Sequence, residues 1–212
     1  FIALLLASVA AVGAELTFFS AIGVQDVMEN LAPKFERATG NKVVVTFATL
    51  GGVLKRIETG ETADVIVIPA QGIAGFVKEG KAAAGDVSTI ARSSVGVAVR
   101  KGTPKPDISS PEAFKQAMLA AKSIFISDPA RGGIGTPHVL KVFERLGIAE
   151  EMKRKTIYTK LAGAAGIAQA IAETDVNLSL NQLQEFASVA GMEIGGPLPG
   201  DLGLTTLFSA VI

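Results

Sequence analysis

Between residues 15 and 80, short β-prone runs alternate with helical stripes, and most changes of period are marked by Gly or Pro. Leu16-Thr17-Phe18-Phe19 reads as a strand and Ser20-Ala21-Ile22-Gly23 as the turn after it. Val24, Val27, Met28, Leu31 and Phe35 then recur at helical spacing, with Gly40 as the stop. Pro33 inside that run should kink or locally break the helix. Residues 43–47 form a second strand, Ala48-Thr49-Leu50-Gly51-Gly52 a small-residue loop, and 53–59 a short helix. A third strand over 64–68 ends at Pro69, before a helix over 71–78. Such alternation constrains the chain to an α/β fold in which helices cover a parallel sheet. Ligands of open sheets of this kind sit beyond the carboxyl ends of the strands, where loops 20–23 and 49–52 fall.

The same logic continues after a boundary near residues 91–94. A strand over 94–99 leads into the polar loop 101–106, and Ser110-Pro111-Glu112 opens a helix running to about residue 121. Ile124-Phe125-Ile126 is a buried strand, stopped by Ser127-Asp128-Pro129. Thr136 is a suitable N-cap and Pro137 a suitable first helical residue for the stripe Val139, Leu140, Phe143, Leu146, which Gly147 closes. Between strand and helix stand Gly132, Gly133 and Gly135, which let a ligand approach backbone N–H groups at a helix start, a ready anion site. This loop reads as the floor of a ligand site. It is not a phosphate loop, because the Lys-Ser/Thr ending is missing, and it lacks the full dinucleotide fingerprint. Further strands are expected over 156–159, over 176–180 ending at Asn181-Gln182, and over 204–212, with an Ala-rich helix at 166–173 and a turn-rich connector at 195–200.

Lys and Arg total 20 and Asp and Glu total 20, so the charges cancel, and neither a nucleic-acid partner nor a basic membrane patch is implied. The absence of Cys excludes a disulfide scaffold and a thiolate zinc site, and the sole histidine, His138, excludes a multi-histidine metal site. No cofactor is expected. The opening FIALLLASVAAVGA reads as the remnant of a secretory signal peptide over residues 1–14, cleaved near Ala14. Its apolar run is too short to span a bilayer. The alternative is a buried N-terminal element. With no Met at the start and a final strand with nothing after it, the chain is expected to be shortened at both ends.

Several motifs carry a family resemblance. They are Phe35-Glu36-x-x-Thr39-Gly40, Ile57-Glu58-x-Gly60-x-x-Ala63-Asp64-Val65, Ser127-Asp128-Pro129 with Phe143-Glu144-Arg145-Leu146-Gly147, and Gly196-Pro197-Leu198-Pro199. In their order and spacing the chain resembles the periplasmic solute-binding proteins of ABC importers, in particular the molybdate-binding-protein family, over nearly all of its mature length. The resemblance implies a two-lobed type II periplasmic binding protein with the ligand clamped between lobes by hinge closure. Lobe one would hold residues 15–92 plus 205–212, without its last helices, and lobe two residues 93–204.

The resemblance also implies the site. Donors would come from Ser20 and Gly23, from Thr49, Gly51 and Gly52, from Arg131, Gly133, Gly135 and Thr136, and from Asn181. The chain departs from the family at several of these positions. A family serine falls on Gly23, a serine-rich loop has become Thr49-Leu50-Gly51-Gly52, a tyrosine falls on Asn181, and Arg131 adds a full charge. An organic di- or tricarboxylate is therefore as suitable a ligand as a molybdate-type oxyanion. The implied partners are that small anion and a membrane ABC permease, with the protein a periplasmic monomer. A branch of the family resembles aconitate isomerase, and Arg131 with His138 would suit a carboxylate substrate and a proton transfer. From the residues alone, Arg131 can be a carboxylate fork or a solvated surface side chain, and His138 a ligand donor or a ring packed beside its helix. Asn181 and Gln182 can contact ligand or cap a helix, and Asp128 suits a loop-stiffening role.

Overall fold

The computed structural model describes residues 13–80, 86–131 and 133–212. The expected leader up to residue 12 and Gly132 of the glycine loop lie outside the described residues. The first half alternates as its sequence pattern requires: β1 (Glu15–Ala21), α1 (Gln25–Thr39), β2 (Lys42–Ala48), α2 (Leu50–Glu58), β3 (Val65–Pro69) and α3 (Ala70–Lys78). β1 pairs in parallel with both β2 and β3. Gly40 ends α1 at φ 75°, a left-handed conformation that glycine adopts without a Cβ penalty.

β4 (Ser88–Arg100) is a single strand of 13 residues, so the boundary expected near residues 91–94 falls inside a strand rather than in a linker. Its first part runs antiparallel to β9 (Thr205–Val211), from Ser88 opposite Ala210 to Ser94 opposite Thr205. From Val95 onward it pairs with β7 (Leu178–Gln182), and from Gly96 onward also with β8 (Met192–Pro197). One strand therefore belongs to both halves of the nine-stranded sheet, in which eight strands run in the order β2-β1-β3-β9-β4-β7-β5-β6 and β8 pairs with β4 off that path. The second half adds α4 (Pro111–Ala120), β5 (Ile124–Ser127), α5 (Gly135–Arg145), α6 (Ala149–Lys155), β6 (Thr156–Thr159), α7 (Gly163–Glu173) and α8 (Leu183–Ala187). Separate cores serve the two halves: Phe19, Val53, Ile68, Ile73 and Phe208 in the first, and Val97, Phe114, Ile124, Val139 and Phe143 under α4 and α5 in the second.

Several expectations are corrected. The sheet is mixed, because the long strands that cross between halves, β4 and β9, run antiparallel to their neighbours. α1 passes through Pro33 without a break: Glu29 and Pro33 are exposed, so the carbonyl that loses its amide partner can turn to water. The α1 stripe is less buried than its spacing suggests. Val27, Leu31 and Phe35 are exposed, while Met28 packs on the core. The connector at 195–200 contains the end of β8, and the short helices α6 and α8 had no predicted counterpart. Among the described residues no helix is long and apolar enough to cross a membrane.

Candidate functional site

The carboxyl ends of β1, β3, β5 and β7 meet where the halves of the sheet face each other, and a narrow cleft, partly open to solvent, lies between them. Ala21 to Gly23, Thr49 and Leu50 form its wall on the first half. Arg131, Gly133 to Thr136, Asn181 and Glu185 are among the residues on the other side.

α2 and α5 bring their N-termini to this cleft. Thr49 caps α2, its hydroxyl accepting the Gly52 N–H at 3.3 Å. That bond engages Gly52, and Gly51 and Gly52 stand within the first helical turn rather than on the wall, which Thr49 and Leu50 supply. Helical geometry leaves the earliest N–H groups of such a turn without an intrahelical acceptor. α5 begins at Gly135, one residue before the expected N-cap. Thr136 is therefore a helical residue, and its hydroxyl donates back to the Ser127 carbonyl at 2.9 Å, fastening helix to strand. Pro137 remains in the first turn, where its missing N–H has no partner to lose.

Ser20 is fully buried in β1, its hydroxyl reaches the Ala21 carbonyl at 3.4 Å, and it is not among the described residues that line the cleft. Gly23 does, and its carbonyl accepts the Gln184 side-chain amide at 2.7 Å, a bond between the halves of the molecule. Gln184 also accepts the Ser93 hydroxyl from β4. Arg131 is exposed at the rim. Asp128 accepts the Ala130 N–H at 2.9 Å and so stiffens the turn that carries Arg131.

His138 is placed elsewhere. Its Nε2 lies 2.8 Å from the Leu202 carbonyl, and a carbonyl only accepts, so this nitrogen carries the proton. The ring ties α5 to the turn Gly200–Leu202 and is not on the cleft wall. The proton-transfer role considered for His138 is set aside on this geometry.

Asn181 lies within β7, not beyond its end, and its amide is held from all sides. Oδ1 accepts the Gln182 N–H at 2.9 Å, while Nδ2 donates to Ser127 Oγ at 3.2 Å and to Glu185 Oε2 at 2.6 Å. Glu185 is a cleft residue that sequence reasoning missed. Burial pushes its carboxyl up to about 7; the Asn181 hydrogen bond pulls the other way, and the Asp26 charge pushes it further up. Its sequence signal was the spacing of four residues from Asn181, which becomes a contact once α8 is recognised as a helix.

Residues 16–212 match the family described as bacterial extracellular solute-binding protein. An aconitate isomerase from Pseudomonas sp is 31% identical over 219 residues, covering 99% of this chain and 81% of that protein. The molybdate-binding protein ModA of Azotobacter vinelandii is 30% identical over 200 residues, covering 91% of this chain and 75% of that one. Among solved structures, the A. vinelandii periplasmic molybdate-binding protein superposes with a TM-score of 0.68 at 20% identity, covering 93% of this chain and 84% of that one. This structural likeness identifies the fold as the two-lobed type II arrangement, with the cleft between lobes.

Proposed function

We infer, from the premise that this chain belongs to the bacterial extracellular solute-binding protein family, that it captures a small anion in the cleft between its lobes and delivers it to a membrane ABC permease. One observation carries this reading: the N-terminal ends of α2 and α5, with Thr49, Leu50 and Gly133 to Thr136, line the same cleft as Arg131. Helix N-termini favour negative charge, and the planar fork of Arg suits a carboxylate or an oxyanion. Lobe one is residues 15–92 with 205–212 and lobe two residues 93–204, joined through β4 and β9. The bound form is the closed form, which the permease would recognise, and the protein works as a periplasmic monomer.

A second reading has specific support. A relative named as an aconitate isomerase covers nearly the whole chain, and Glu185 places a group that titrates near neutrality in the cleft. Thermal unfolding in the presence of molybdate, tungstate, sulfate, citrate and both aconitates tests the first reading. A ligand at about a thousand times its Kd raises stability by about 4 kcal/mol. A response to molybdate and tungstate alone identifies an oxyanion carrier; a response to the tricarboxylates alone identifies a carboxylate carrier. No response to any anion overturns anion capture. The ultraviolet absorbance of aconitate over time tests the second: a binder leaves it constant, and an isomerase changes it.

A further inference from the structure

Glu185 stands where a binding site for anions should least want a carboxylate. It lines the cleft beside Asn181 and Gln182, and it also lines the neighbouring cavity with Gln25 and Asp26. No ion pair reaches it among the described residues. The charged groups around it are Asp26 across the second cavity and Asp128 and Arg131 in the cleft. An ionised carboxylate there would be partly desolvated, without an ion-pair partner and beside a bound negative charge, each of which disfavours ionisation, while the Arg131 charge in the cleft opposes them.

The hydrogen-bond pattern decides where a proton would sit. The Asn181 amide cannot be turned over without loss, because its oxygen already accepts the Gln182 N–H. Its nitrogen therefore faces Glu185 and donates to Oε2, leaving that oxygen an acceptor. Oε1 has no hydrogen-bond partner among the described residues, and it is the oxygen free to carry a proton.

Resting on the reading of the cleft as an anion site, we propose that Glu185 is a specificity-determining residue that binds in its protonated form, donating its Oε1–H to an oxygen of the captured anion, so that capture takes up one proton from solvent. No covalent bond to the ligand forms or breaks. The proton turns a repelling carboxylate into a neutral donor matched to an anion oxygen, and Asn181 keeps that donor aimed. The ligands favoured are fully ionised anions whose oxygens only accept. An anion that presents its own O–H toward Glu185 would meet a second donor and bind less well.

The test is titration calorimetry of the full chain with molybdate and with trans-aconitate, across about pH 5.5 to 8.5, in buffers of different ionisation enthalpy. The expected result is one proton taken up above neutrality and an affinity that falls about tenfold per pH unit beyond the titration midpoint. Glu185→Gln keeps a neutral donor at this position. Its affinity should no longer change with pH, and its proton uptake should vanish. Asp26→Asn removes a repelling charge and should move the midpoint to lower pH, which a merely structural role for Glu185 would not produce. Anion binding with no pH dependence and no proton uptake overturns the role of Glu185 while anion capture stands. The same pH dependence in Glu185→Gln as in the parent does so too. Binding of neither anion at any pH overturns both.

Discussion

Arg131 is exposed at the cleft rim, on a turn braced by Asp128, and under the proposed anion capture its charge would serve the ligand more than the fold. Arg131→Gln should weaken anion binding about ten- to hundredfold, the scale of a charge-assisted hydrogen bond. Unfolding of the ligand-free protein should shift by less than about 0.5 kcal/mol, as for an ordinary surface substitution. Calorimetry and a denaturant titration check the two halves of that statement. Glu185 behaves in the opposite way, because its folded pKa of about 7 lies above the unfolded value of 4.5. The native state then holds the proton more tightly, so this residue's contribution is fully present below the unfolded pKa and is lost as pH rises through about 7. Glu185→Gln should stabilise the ligand-free protein at alkaline pH, by an amount on the order of 2 kcal/mol, and leave it little changed in acid. Denaturant midpoints measured at both ends of the range decide this. The placement of Arg131, Gly133 and Gly135 at the cleft was legible because a charge in a small-residue loop stands out in sequence. Glu185 was not, since its environment depends on β7 extending through Gln182 and on a helix of five residues too short to show a period.

At the scale of elements, the N-termini of α2 and α5 reach the cleft by different means. Thr49, read in sequence as part of a loop before a helix over 53–59, caps a helix that starts earlier, at Leu50, because its backbone is extended and its hydroxyl meets the Gly52 N–H. Thr136 looked like an equally good cap, yet Gly135 precedes it inside the helix and its hydroxyl is drawn to the Ser127 carbonyl instead. Local chemistry alone cannot distinguish these outcomes, because the carbonyl that captures Thr136 belongs to the neighbouring strand. His138 follows the same rule: its place in the first turns of α5 left both a ligand donor and a packed ring open, and the Leu202 carbonyl holds the ring. His138→Ala should cost about 1 kcal/mol of stability through that lost bond. It should leave anion affinity, and any turnover of aconitate, unchanged. A turnover rate abolished by this substitution would return His138 to the chemistry.

At the scale of the molecule, the alternation of strand and helix made the α/β class and the cleft at the strand ends readable. The way the lobes touch was not readable, because it joins residues far apart in sequence. Gln184 reaches the Gly23 carbonyl from the other lobe, and a Cβ on Gly163 would stand 2.5 Å from Ile22 Cγ2. Gly163 also has φ +62°, where an L side chain is strained by roughly 1–2 kcal/mol. Gly163→Ala therefore has two separable effects. The backbone strain is local to α7 and acts whether the lobes are together or apart. The collision with Ile22 is a contact between the lobes as they stand in this structure, so it penalises this arrangement and spares one in which the lobes are drawn apart. Gly163→Ala should lower the stability of the ligand-free protein, weaken anion binding by about tenfold or more, and reduce the ligand-induced contraction seen by small-angle scattering. Adding Ile22→Ala removes the colliding methyl group. The double variant should regain contraction and most of the affinity, while the stability lost to backbone strain stays lost. If the second substitution restores neither, the contact between Ile22 and Gly163 does not limit closure, and the weaker binding of Gly163→Ala must come from distortion of α7 itself.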